Sequence, residues 1–214
     1  MNVATMPAAL VGCSPEEWQI RCDLAALYRL VAHQRWTDFV YTHISARLPA
    51  PDHHFLINKY GVMFHEMRAS DLVKIDMHGN VVEDGDVASR RVNAAGFTIH
   101  SAVHLAREDL VCVVHTHTQA GIAVSCMQEG LLSLSQQAMK FYGRLAYHGY
   151  EGIALDLGER LHLALAGRGQ DGDAITVACE PTRCGRPHAA APGCYDCLFL
   201  SHLRSPGGFA CAVS

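Results

Sequence analysis

The short apolar run Leu110 to Val114 lies between two stretches of helical pattern, Gly96 to Arg107 and Thr118 to Met127, and it constrains the chain more than any other feature. A buried strand flanked by helices is an α/β arrangement. The run ends in His115-Thr116-His117. Alternate residues of a strand project to one face, so two histidines separated by one residue can turn ring nitrogens toward the same cation. Ligands of α/β sheets commonly sit at strand carboxyl ends, where this pair falls. Taken alone, the pair is open between a metal site and two hydrogen-bonded histidines on one strand face, because zinc or iron(II) needs a third protein ligand.

Upstream, Ser14-Pro15-Glu16-Glu17 supplies an N-cap, a first-turn proline and first-turn acids. Ile20, Leu24, Leu27, Leu30 and Val31 follow at helical spacing. Phe39 to Leu48 and Phe55 to Asn58 read as strands, and Ser70 to Asp76 leads into the turn Met77-His78-Gly79-Asn80. An antiparallel meander is the simplest assembly of these strands. Farther on, a strand is expected at Gly143 to Tyr147 and a helix from Leu157 to Ala166. At Gly167 the pattern breaks: from there to Ser214 there are seven glycines, four prolines and five of the nine cysteines, with no element that periodicity can name. The expected organisation is one domain over residues 1–166 and a poorly ordered tail over 167–214.

At 214 residues the chain can bury a substantial core. A net charge of -4 with mixed signs gives no basic surface for nucleic acid, and no apolar stretch is long enough to span a bilayer. Small-molecule or protein partners and a cytoplasmic location are the expectation. Cys13, Cys22, Cys112 and Cys126 sit singly in apolar surroundings and read as buried free thiols.

Other candidates are weaker. His148, after the strand Gly143 to Tyr147, is the preferred third metal ligand because strand ends converge. His100 and His104 share a helix face and read as packing or capping residues, while His43, His53, His54, His65 and His78 lack paired spacing and read as solvated positions. Asn58-Lys59-Tyr60-Gly61 offers either backbone N–H groups to an anion or a plain hairpin turn. Cys194-Tyr195-Asp196-Cys197 has no second cysteine pair, and Glu151, Asp156 and Glu159 fit the first turn of a helix.

Several segments in order then resemble one family. Arg35-Trp36-Thr37-Asp38-Phe39 through His43-Ile44-Ser45-Ala46-Arg47-Leu48-Pro49, and His53-His54-Phe55-Leu56-Ile57-Asn58-Lys59-Tyr60-Gly61, are similar to the class II aldolase/adducin head domain family. So are Gly96 to Ala102, Val113 to Thr118, and Ala146 to Ile153. The resemblance implies an α/β/α sandwich around a largely antiparallel sheet, assembled as a homotetramer. It implies a divalent metal, commonly zinc, at His115 and His117, acting as a Lewis acid on sugar-phosphate substrates. It also implies a phosphate-holding role for the loops around Thr42 and around Asn58, Tyr60 and Gly61.

Two departures qualify the aldolase reading. The family's aldolases carry a general acid/base glutamate four residues before the position of His100, where this chain has Gly96, so no catalytic residue is assigned and the adducin-like branch is the better match. The family's third metal-binding histidine, in an Arg-Asn-His-Gly segment, has no counterpart after Ala166. Reading Gly193 to Ala210 one nucleotide later, with suitable codons, gives an amphipathic helix like the family's terminal one. A frameshift between Gly167 and Asp171 is therefore expected. The resulting expectation is a lyase-like protein with an incomplete metal site that holds zinc weakly or not at all, the alternative being a non-enzymatic oligomerisation module.

Overall fold

The computed structural model describes residues 12–82, 91–127, 129–143, 145–149, 174–180 and 197–201. Helix α1 (Pro15–His33) starts as its sequence dictates: Ser14 Oγ accepts from the Glu17 N–H at 3.1 Å, Pro15 opens the first turn, and Glu16 and Glu17 face the positive helix end. Strands β1 (His43–Arg47), β2 (Phe55–Asn58) and β3 (Leu72–Ile75) form the expected antiparallel meander. Helix α2 (Ala94–Ala106) leads into β4 (Cys112–Thr116), which is followed by α3 (Gln119–Ser125), α4 (Gln136–Met139) and β5 (Leu145–Gly149).

Two corrections concern boundaries and the tail. The first strand starts at His43 rather than Phe39, because Phe39 takes φ 46° and breaks the extended run. Residues 167–214, read as lacking any nameable element, contribute β6 (Ala174–Glu180) and β7 (Cys197–Ser201). Short apolar runs such as Ile175 to Ala178 and Leu198 to Leu200 carry too little periodicity to be assigned without their neighbours. The helix expected at Leu157 to Ala166, with Glu151, Asp156 and Glu159, lies outside the described residues.

The seven strands run in the order β3-β2-β1-β4-β7-β6-β5, antiparallel at every pairing except β5 with β6. Strand alternation divides the core. Ile44, Ala46, Leu56, Leu72, Cys112 and Val114 pack under Leu24, Tyr28 and Val31 of α1, whereas Phe55, Ile57, Val73 and Ile75 face Phe97 of α2. The sheet is thus covered on both faces, as an α/β/α sandwich. Among the described residues no helix is long and apolar enough to cross a membrane. Cys13, Cys22, Cys112 and Cys126 are free thiols; Cys112 is buried, while Cys126 is exposed, contrary to expectation, just past the end of α3.

Tyr28 ties α1 to the ends of two strands. Its buried hydroxyl accepts from the N–H groups of Ile44 (2.9 Å) and Asn58 (3.0 Å), and it also meets the Ile44 carbonyl and Asn58 Oδ1. Tyr28→Phe strands these groups in an apolar core, and a loss of about 2–4 kcal/mol is expected. Chemical denaturation checks this; a loss below about 0.5 kcal/mol would mean that the strand ends re-pair without the hydroxyl.

Candidate functional site

The pairing of β1 with β4 sets His43 directly beside His115. Both side chains point to the α2 face, where His100 and His104, one helical turn apart, also arrive. Three hydrogen bonds link these groups: His43 Nδ1 to His100 Nε2 at 2.8 Å, His100 Nδ1 to Ser45 Oγ at 2.6 Å, and Ser45 Oγ to His104 Nε2 at 2.9 Å. The His43 ring then packs on the His115 ring with centroids 4.5 Å apart.

At the end of β4, His115 Nε2 and His117 Nε2 converge to 2.9 Å and share a hydrogen bond, one ring donating to the other. Asp38 Oδ2 holds the other nitrogen of His117 at 2.9 Å. A carboxylate behind an imidazole is the arrangement that orients a metal-binding histidine. Asp38 is itself placed by the bend before β1, next to the positive-φ residue Phe39.

Burial, reinforced by the charge of His117, pushes the His115 pKa down to about 3; burial and the charge of Arg47 do the same to His104. Burial, then repulsion from neighbouring rings, takes His43 and His100 well below their ordinary value. These rings are uncharged at neutral pH. Loss of the proton shared between His115 Nε2 and His117 Nε2 is what would free both nitrogens for a cation.

The expected pair His115 and His117 is thus brought together, while the third expected ligand, His148, belongs to a strand farther along the sheet. His148 lies on β5, and β7 and β6 intervene between that strand and β4. Three strand spacings put the two backbones about 14 Å apart. Strand ends converge only between close neighbours. Among the described residues, no group of three His, Cys, Asp or Glu side chains is placed to hold an ion. The described residues fit the first two bonds of a divalent metal.

The anion-binding candidates separate as well. Asn58 is buried on the α1 face with Oδ1 against Tyr28, turned away from the histidines, and the Tyr60 N–H is donated to the Arg91 carbonyl at 2.7 Å. Gly61, at φ 92°, occupies an open turn, and the buried Thr42 hydroxyl makes no hydrogen bond among the described residues.

Sequence reasoning missed Asp38 and Ser45, and it read His43 as solvated although the ring is 2% exposed. The available signal was alternation: His43 and Ser45 share a strand face, as His100 and His104 share a helix face. Gly96 also gains a role, since a Cβ there would lie 2.7–3.0 Å from three atoms of the His43 ring. A cleft of about 550 Å³ bordered by Asp23, Arg47, His53 and Glu108 lies toward the opposite end of β1 and involves none of the histidine array.

Residues 22–178 match the family model described as Class II Aldolase and Adducin N-terminal domain. The chain is 58% identical over 147 residues to the "Putative aldolase class 2 protein" of Caulobacter vibrioides, covering 69% of this chain and 56% of that protein. It is 45% identical over 142 residues to alpha-adducin of Rattus norvegicus, covering 66% of this chain and 19% of the adducin. It therefore spans little more than half the length of the first of these relatives and far less of the second. Among solved structures, L-fuculose 1-phosphate aldolase from Glaciozyma antarctica is similar with a TM-score of 0.67 and 28% identity, over 92% of this chain and 68% of that one.

Proposed function

Because this chain belongs to the class II aldolase and adducin N-terminal domain family, we propose that it is an adducin-like member whose site retains two of the three ligands of a divalent-metal centre. It is related in this reading to lyases acting on small hydroxy-carbonyl compounds. The supporting observation is the convergence of His115 Nε2 and His117 Nε2 at 2.9 Å, with Asp38 behind His117. Zinc, when bound by such a pair, supplies Lewis-acid polarisation of a carbonyl. The chain's own residues orient the pair: Asp38 fixes one ring, and the packed β1–β4 face keeps the other dry and uncharged. Thr42 and Gly61 are the parts of the anion-binding reading still open to a ligand.

Equilibrium dialysis of the purified chain is expected to give weak, substoichiometric zinc, abolished by His115→Ala. Tight stoichiometric zinc overturns the reading and points to His148 or a residue of the tail as a further ligand. Retro-aldol and decarboxylation assays on hydroxy-carbonyl compounds accompany the measurement.

A second reading, a non-enzymatic module acting through oligomerisation, is favoured by the 45% identity to an adducin and by Gly96 in place of a carboxylate. A metal-free, inactive oligomer in light scattering supports it, with a cytoplasmic homotetramer as the expected form. The segment beyond Gly167 is read, from its sequence alone, as the product of a frameshift between Gly167 and Asp171. The gene sequence decides it: a single-base change that restores an Asn-His-Gly segment and a terminal helix is the expected result.

A further inference from the structure

Gly96 lies in the first turn of α2 against the His43 imidazole. A Cβ built on it would sit 2.7 Å from Cδ2, 2.8 Å from Cγ and 3.0 Å from Nε2 of that ring. Neither side can yield cheaply. One is helix backbone, and the other is a ring bonded to His100 at 2.8 Å and packed on His115. Such overlaps are relieved only by moving one partner.

We infer that His43 is a positioning residue for the His115/His117 pair, and that residue 96 is glycine because the His43 ring occupies the volume where a side chain at 96 would begin. The ring braces His115 from the side, and the chain His104–Ser45–His100 fixes the ring in turn. Positions 43 and 96 are therefore alternatives: an imidazole from β1 or a side chain from α2 fills the space, not both. The effect on a bound cation rests on the function proposed above, whereas the bracing itself does not.

The test uses the full metal-free chain labelled with ¹⁵N, compared with Gly96→Ala, His43→Ala and the double variant. Imidazole ¹⁵N resonances of His115 and His117, the melting temperature and cobalt(II) affinity are measured for each. Gly96→Ala is expected to shift both sets of resonances, lower the melting temperature and weaken cobalt(II) about tenfold, the size found when a partner that orients a metal ligand is lost. His43→Ala is expected to shift the same resonances, and Gly96→Ala added to it should change nothing further, because the ring it displaces is gone.

Unmoved resonances in both single variants, or an undiminished Gly96→Ala effect in the His43→Ala background, overturn the inference. If Gly96→Ala does not fold, His43→Ala alone decides through the resonances. Resonances that respond as expected in a protein taking up no cobalt(II) leave the bracing standing and remove the metal reading instead.

Discussion

Acidification of the metal-free protein is expected to unfold it at about pH 5.5, above the range in which ordinary carboxylates titrate. His43, His100, His104 and His115 are essentially inaccessible to water, and burial holds each below the ordinary 6.5, with His104 and His115 at about 3. The sign is that of a lowered base: the folded state refuses a proton that the unfolded chain accepts at 6.5. The stabilisation is complete above 6.5 and is lost as the pH falls toward the folded values. Each ring forfeits up to about 1.4 kcal/mol per pH unit in that window, and the four losses run in the same direction. They draw on the about 5–15 kcal/mol that is the whole stability of a marginal domain. Tryptophan fluorescence against pH reads the midpoint through Trp18 and Trp36. A midpoint under pH 4 would show that protons enter the array without opening it.

Arg21→Ala is expected to cost about 3–5 kcal/mol. Arg21 is fully buried and bonds Glu17 through Nε at 2.9 Å and through its terminal nitrogen at 2.8 Å. It also donates to the Leu72 carbonyl at 2.7 Å, pinning α1 to the start of β3. Glu17 is shared with Lys74 at 2.9 Å. Burial alone would raise the Glu17 pKa, but the bond from Lys74 and the charge of Arg21 outweigh it and hold the carboxylate below its usual value. Removing Arg21 leaves a mostly buried carboxylate with one partner and an orphaned carbonyl. Glu17→Gln with Arg21→Met, which leaves neither charge behind, is expected to lose less than Arg21→Ala alone. Urea denaturation measures both, and equal losses would assign the effect to packing rather than charge.

What was legible in the sequence follows the range of the interactions. The start of α1 is written in four adjacent residues, and the convergence of His115 with His117 follows from alternation along one strand. Asn58 misled because its place after Ile57 looks like a loop entry, whereas its parity puts it on the α1 face, under Tyr28. His43 with His100 and Ser45 with His104 are partners across two elements, and no local pattern names the partner. The strand of His148 is a related case: convergence of strand ends depends on strand order, and chain order does not reveal that β7 and β6 lie between β5 and β4.

The pairing of Val114 with Phe199 has a consequence for how the chain is made. Strand β4 meets β1 early, but its other edge is closed by the last strand of the sheet. Until that segment leaves the ribosome, the strand bearing both converging histidines has an open row of N–H and C=O groups. Such an edge is a template for pairing with another copy. Slow closure across so long a loop prolongs the exposure.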